Sequence, residues 1–222
     1  MIYLPKSQSE PPCLSVEKLK ASGTYNCEGV LEALKNDFKN KCYICEDKEP
    51  HSINTEHFKP HKGNIDLKFD WNNLFFCCSH CNNNKLAKPI FDEILNCTSE
   101  KAIDTKIKYF INPFPKEKAL ISPIEDSIKV NNTVTLLNEV YNGTTVLKSI
   151  ESANIRSKLL SEIRKFQDLL FEYYDDNYNE EEKIDLKNQI IRQLRPSSSF
   201  TAFKRWIVRD NESLSAEFSS FM

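Results

Sequence analysis

Four cysteines set the first chemical constraint. Cys42 and Cys45 form one Cys-x-x-Cys turn and Cys78 and Cys81 form another, with thirty-two residues between the two turns. Each turn delivers two thiolates to one side, and together they make the four-thiolate set of a tetrahedral structural zinc. Zinc lowers the pKa of its thiols, so they bind deprotonated. A loop-rich stretch gains a cross-link that its few apolar residues do not supply. Cys77 with His80 offers a competing register, but Cys78 with Cys81 keeps the matching spacing; Cys77 reads as a buried neighbour. Cys13, Cys27, Cys77 and Cys97 are scattered, and the chain shows no secretion signal, so the expectation is metal rather than disulfides.

Harder chemistry lies between and just after these pairs. Glu56-His57 is followed by Pro60, Asn73 precedes the apolar Leu74-Phe75-Phe76, and Asn82-x-x-Lys85 follows the last cysteine. An imidazole titrates close to neutrality, which suits His57 to proton transfer. Glu56 and Asn82 offer hard oxygen ligands for Mg2+ or Mn2+, whereas the thiolates select zinc, so ligand softness sorts two metals.

In this order and framing the chain resembles the HNH endonucleases. Their ββα-metal motif has an acidic-His pair, a central Asn, and a His or Asn at the start of a helix. The resemblance implies an α+β fold: a zinc-stabilised ββα-metal core with short strands and a mostly helical C-terminal region. It implies that His57 is the general base for water and that Glu56 and Asn82 hold a divalent ion. Asn73 would brace the loop carrying His57, and Lys85, one turn after Asn82, would meet a phosphate oxygen. Glu56 stands where the family usually has aspartate, and Asn82 where it often has a third histidine. Asn72 competes with Asn73 for the central position; Asn73 is favoured because it directly precedes the apolar run. His51 and His61 read as solvated loop residues beside the site, His80 as exposed within the cysteine turn, and Trp71 as core.

The elements that must position these groups follow from periodicity. Val30, Leu31, Leu34 and Phe38 recur at helical spacing, predicting a short helix over about Glu28 to Asn40 that leads into the first cysteine pair. The first 25 residues carry Pro5, Pro11 and Pro12 and are expected to run extended over the surface. Residues 107 to 147 hold β-like runs, IKYFINPF and VNNTVTLL, then a turn at Asn142-Gly143. Beyond Lys148 the pattern becomes helical. Ile155, Leu159, Leu160, Ile163, Phe166 and Leu170 form one stripe ending near Tyr174. DDNYNEEE reads as a solvated loop or helix start, and a second helix covers about Glu182 to Leu194. Pro196 and three serines end it, and TAFKRWIVRD predicts a short closing helix. The division is 1–40 as an N-terminal extension with its lead-in helix, 41–106 as the nuclease core, and 107–222 as strands and helices.

Bulk properties narrow the setting. The formal net charge is −2, so any polyanion site must be a local patch. No stretch approaches 18 consecutive apolar residues, which predicts a cytoplasmic protein with no membrane contact. A narrower resemblance, carried by EHFKP, DWNNLFFCCSHCNNNK, INPF, TLLNEVYN, NIRSKL and SSSFTAFKRWI, is to the HNH component of Septu-type anti-phage systems, some of which accompany retrons. It implies nucleic acid, with DNA ahead of RNA, as substrate and an ABC/SMC-like ATPase as controlling partner. The chain has no phosphate-binding G-x-x-x-x-G-K-[ST] loop of its own. Phe200, Phe203, Trp206 and Ile207 beside Lys204, Arg205 and Arg209 either dock that partner or pack onto their own domain. The rival class is a zinc-stabilised nucleic-acid-binding or adaptor protein that uses the fold without cleaving.

Overall fold

In the computed structural model, which describes all 222 residues, the chemistry-bearing stretch folds around one short hairpin. Strand β1 (Ile53–His57) pairs antiparallel with β2 (Leu74–Cys78), running from Ile53 opposite Cys78 to His57 opposite Leu74. Every residue of β2 is buried, as its sequence LFFCC demands. It runs directly into helix α4 (Ser79–Leu86), which packs on both strands. Two short helices precede this unit, α1 (Cys13–Lys18) and α2 (Val30–Asp37), and a third, α3 (Ile65–Phe69), lies in the hairpin connection. Asn64 caps α3 by accepting from Leu67 N, and Asp70 caps the following single turn by accepting from Asn72 N.

The second sheet pairs β3 (Ile107–Phe110) with β4 (Leu120–Pro123), again antiparallel. The strand expected at VNNTVTLL is instead the middle of α5 (Ile128–Asn142). Its β-branched residues bias it toward strand. Burial decides otherwise: Val130, Val134, Leu137 and Tyr141 fall on one helical face, and Ser127 caps the helix by accepting from Val130 N. Asn142-Gly143 is a turn, but between helices, with Gly143 at φ +73. A Cβ there would come within 2.6 Å of Ser149 backbone, so only glycine permits the close return into α6 (Val146–Tyr173).

The stripe read along α6 is its buried face, with Ile155, Leu159, Ile163, Phe166 and Leu170 all inside. Helix α7 (Glu180–Leu194) begins with a reciprocal capping box between Asn179 and Glu182. Helix α8 (Thr201–Arg209) follows the serine run, and a helix not foreseen, α9 (Glu212–Phe218), closes the chain. Phe166, Leu170, Ile190, Leu194, Val208, Leu214 and Phe218 make a small core of their own. The main core runs from Met1 through the hairpin and α5 to Phe203, so packing is continuous across the 40/41 and 106/107 boundaries. The N-terminal residues are not a surface strap: Met1, Ile2 and Leu4 are buried. No helix is long and apolar enough to cross a membrane.

Candidate metal centre and hydrolytic site

The four paired cysteines are placed by two tight turns. The first is closed by Glu46 N donating to Cys42 O at 2.9 Å and Cys42 N to Asp47 O at 3.0 Å. The second is the strand-to-helix junction itself: Cys78 ends β2 and is the N-cap of α4, and Cys81 lies in the first helical turn. The four Sγ atoms are buried and all lie within 4.8 Å of one another. Zn–S bonds of about 2.3 Å in a tetrahedron require sulfurs about 3.8 Å apart, and Cys45 and Cys78 stand at 3.9 Å. The residues therefore fit zinc. Burial alone would push the Cys42 thiol up, yet contacts from Cys45, Cys77, Cys78 and Cys81 pull it well below its ordinary value. Burial drives Cys81 well up. Cys77 sits 3.9 Å from Cys42 and outside the set of four, the buried neighbour expected.

His57 ends β1 half-buried, its Nε2 2.9 Å from Lys68 O. A carbonyl only accepts, so the proton resides on Nε2 and Nδ1 carries the lone pair. Burial chiefly lowers the His57 pKa, the nearby charges of His61, Lys68 and Lys85 adding to it, with the Lys68 carbonyl opposing. The ring is therefore neutral at pH 7. Asn73, rather than Asn72, is the buried amide. Its Oδ1 accepts from Lys59 N at 2.8 Å, while its Nδ2 donates to Lys59 O and Leu67 O at 2.9 and 3.0 Å. It thereby ties the loop after His57 to the residue preceding Lys68.

Glu56 and Lys85 sit elsewhere than the resemblance implies. Successive strand residues face opposite ways, and Glu56 points into the core, 4% exposed, with Lys85 Nζ 2.9 Å from its Oε1. Lys85, 2% exposed, also donates to Phe58 O at 2.8 Å. Neither carboxylate oxygen has a well-directed hydrogen bond, nor has the buried Tyr43 hydroxyl. Burial raises the Glu56 carboxyl above its ordinary value, and Lys85, Cys77 and Tyr43 pull it back only in part. A divalent cation bound here would lie against an ammonium group. Glu56 is thus assigned to Lys85 rather than to an open ion, and Lys85 is withdrawn from any phosphate.

Asn82 is half-buried and lines a cavity of about 340 Å3 with Tyr25, Asn26, Leu31, Ile53, Asn54 and Thr55. No carboxylate lines it. Magnesium sites lean on one or two carboxylates, so Asn82 and its neighbours do not amount to a divalent-ion site. Tyr25 connects this cavity to His57, its ring meeting the imidazole edge-on with centroids 4.5 Å apart. The His61 ring also packs on His57, its centroid 4.8 Å away. Sequence reading missed Tyr25, which has no local signal, and placed His61 in solvent, although its position four residues after His57 across Pro60 hinted at the contact.

The segment carrying Tyr25 is pinned in two ways. Lys68 Nζ donates to Gly23 O at 2.7 Å. Cys13 and Cys27 form a disulfide, their Cα atoms 6.0 Å apart, which corrects the expectation of unpaired thiols. The turn between α1 and α2 brings them together, a contact that the Cys-x-x-Cys pattern does not announce. His80 is buried, not exposed. Its Nε2 meets Val140 O at 2.9 Å and its Nδ1 meets Glu151 at 2.6 Å, pinning α4 against α5 and α6. His51 is exposed and Trp71 is core.

The C-terminal aromatic segment is consumed by the fold. Trp206 Nε1 donates to Asp104 O and Ile107 O, both at 2.8 Å, while Arg205 and Arg209 pair with the Asp104 carboxylate. A scan against protein-family models and a search of curated proteins return no match, so the site stands on its geometry.

Proposed function

We propose that the chain is a zinc-stabilised nucleic-acid hydrolase of the HNH type, with His57 as general base. One observation carries the reading: the Lys68 carbonyl fixes the His57 tautomer, leaving a neutral Nδ1 with its lone pair free. A base held this way takes a proton from water as the water attacks a phosphodiester, a contribution of typically about 10²- to 10⁴-fold. Asn73 supports it by fixing the loop on both sides of the ring. The cysteine cluster supports it by fixing the junction from which α4 presents Asn82. DNA as the preferred substrate, an Mg2+ or Mn2+ requirement, and a setting in anti-phage defence beside an ATPase rest on the sequence resemblance. Of these, the divalent ion is the one the geometry disfavours, because Glu56 is engaged by Lys85.

That same engagement favours a second reading, a protein that binds nucleic acid on this fold without cutting it. Nicking of supercoiled plasmid by zinc-loaded wild type and by His57→Ala, with and without Mg2+ or Mn2+, separates the two. A loss of about 100-fold or more in His57→Ala is expected. Binding without nicking by either protein selects the second reading, and equal nicking by both removes His57 from the chemistry.

A further inference from the structure

A cavity of about 550 Å3 that shares no lining residue with the partners of His57 opens where four elements converge. The turn after Cys45 contributes Lys48, α6 contributes Lys158 and Lys165, α7 contributes Arg192, and the loop before α8 contributes Ser197, Ser198 and Ser199. Only one of the thirteen lining residues is hydrophobic. A ligand of matching chemistry is therefore polar, and the volume falls in the range of small-molecule sites, about 300–1,000 Å3.

The charges around this cavity are unevenly spent. Lys158 is paired with Asp47 at 2.7 Å. Glu162 is shared by Lys165 at 2.7 Å and Lys204 at 3.1 Å, so one carboxylate answers two ammonium groups. Lys48 and Arg192 have no carboxylate within ion-pair distance, and both are exposed at the rim. Glu49 is the one lining carboxylate without a cation, and it too is exposed.

The floor concentrates the imbalance. Two lysine side chains with no exposure, Lys41 and Lys204, grip Ser198 from opposite ends. Lys41 Nζ donates to its carbonyl at 2.6 Å, and Lys204 Nζ to its hydroxyl at 3.0 Å. Burial lowers the Lys204 pKa to about 8, with Glu162 opposing and Lys41 adding to the drop. Lys41 shares Glu46 with the Met1 ammonium, and Lys204 shares Glu162 with Lys165, so cations outnumber carboxylates beneath the cavity and an anion in it would relieve the excess.

We infer that this cavity is a binding site for a small phosphate ester of about mononucleotide size, held through its phosphate by Lys48, Arg192 and the Ser197–Ser199 loop. The polar lining recognises the phosphate and sugar, and it offers no stacking surface for a base. The site also gives a use to the serines of the SSSFTAFKRWI segment. It is independent of the hydrolytic reading.

Calorimetric titration of the full zinc-loaded chain tests this with four probes: inorganic phosphate, ribose 5-phosphate, adenosine monophosphate and adenosine. Ribose 5-phosphate and the nucleotide should bind with similar affinity, phosphate more weakly, and adenosine not measurably. Arg192→Ala and Lys48→Ala, both rim positions outside the hydrogen-bond networks, should each weaken binding about tenfold without moving the thermal midpoint. Three outcomes overturn the inference: no saturable binding by any phosphate, adenosine binding as tightly as its monophosphate, or unchanged affinity in both variants. A single-stranded oligonucleotide that competes with affinity rising along its length also overturns it, in favour of a nucleic-acid groove.

Discussion

Two buried glutamates flank the cysteine cluster and His57, and they are treated in opposite ways. Glu46 directly follows Cys45, and Glu56 directly precedes His57. Both are nearly inaccessible, and both face a buried lysine. Glu46 has more than enough compensation: the Met1 ammonium at 3.0 Å, Lys41 at 3.3 Å, and Ala202 N donating at 3.3 Å. Burial would raise its pKa, but these two cations bring it down to about 2. Glu56 has Lys85 alone and two oxygens without directed hydrogen bonds, and its pKa is raised. The difference teaches what each side of the cysteine cluster is for. The Glu46 side is a closed lock joining the first cysteine turn to the start of α8. The Glu56 side is left short of polar partners next to His57, whose ring has one hydrogen bond, through Nε2, as expected where a site is held under some strain.

The largest expected effect removes the frame that both glutamates share. Chelating zinc, or replacing Cys45 with Ser, should unfold residues 41–86, because structural zinc binding in small domains is worth on the order of 10 kcal/mol. Metal analysis should find one zinc per chain, and circular dichroism should report the loss of cooperative melting when it is removed. A chain without zinc that melts unchanged would reduce the four cysteines to ordinary core thiols.

Next comes the contrast itself. Glu46→Gln leaves the Met1 ammonium and Lys41 buried without their anion, and should cost about 3–5 kcal/mol by denaturant unfolding. Glu56→Gln strands only Lys85, which keeps its bond to Phe58 O, and removes a carboxyl already biased toward its neutral form. Its cost should be about 1–2 kcal/mol. Equal costs would mean that the two sides are not treated differently.

Acid titration sharpens the same comparison because the signs oppose. Glu46 has a folded pKa of about 2 against an ordinary 4.5. Its contribution is present above pH 4.5 and is lost as pH falls toward 2, about 3 kcal/mol in all. Glu56, raised on folding, is more easily ionised in the unfolded chain, so its contribution runs the other way and grows as pH falls toward 4.5. The acid limb of stability should therefore flatten in Glu46→Gln and steepen slightly in Glu56→Gln.

How much of this was legible in the sequence depends on range. The paired cysteines announced themselves by spacing, and so did α2, α6, α7 and α8, because each is a local pattern. Asn73 was separable from Asn72 by its place against the apolar run; the structure adds that Asn72 is exposed, with only its backbone N donating to the Asp70 cap. Helix α5 was misread because its β-branched residues outweighed the one cap signal, Ser127. The burial of Glu56 is a matter of strand parity, which one residue of register reverses. Lys41 meeting Ser198, and Tyr25 meeting His57, are contacts over long sequence separations that no local pattern encodes.

The smallest effect tests whether the open side is tuned by its surroundings. Tyr25 contributes the edge-on ring that helps bury His57, and an aromatic pair of this kind is worth about 0.5–1.5 kcal/mol beyond its area. Removing it in Tyr25→Ala exposes the imidazole to water, and burial is the main cause of its lowered pKa. The His57 midpoint, followed by NMR of the ring protons, should then rise toward the ordinary 6.5. The Cys13–Cys27 disulfide anchors the chain two residues after Tyr25, so reducing that bond should move the midpoint in the same direction and by less. An unchanged midpoint in Tyr25→Ala would mean that backbone packing around Lys68, not the aromatic cover, lowers the His57 pKa. A midpoint that falls would contradict burial as the cause altogether, because loss of cover can only ease the charging of a desolvated imidazole.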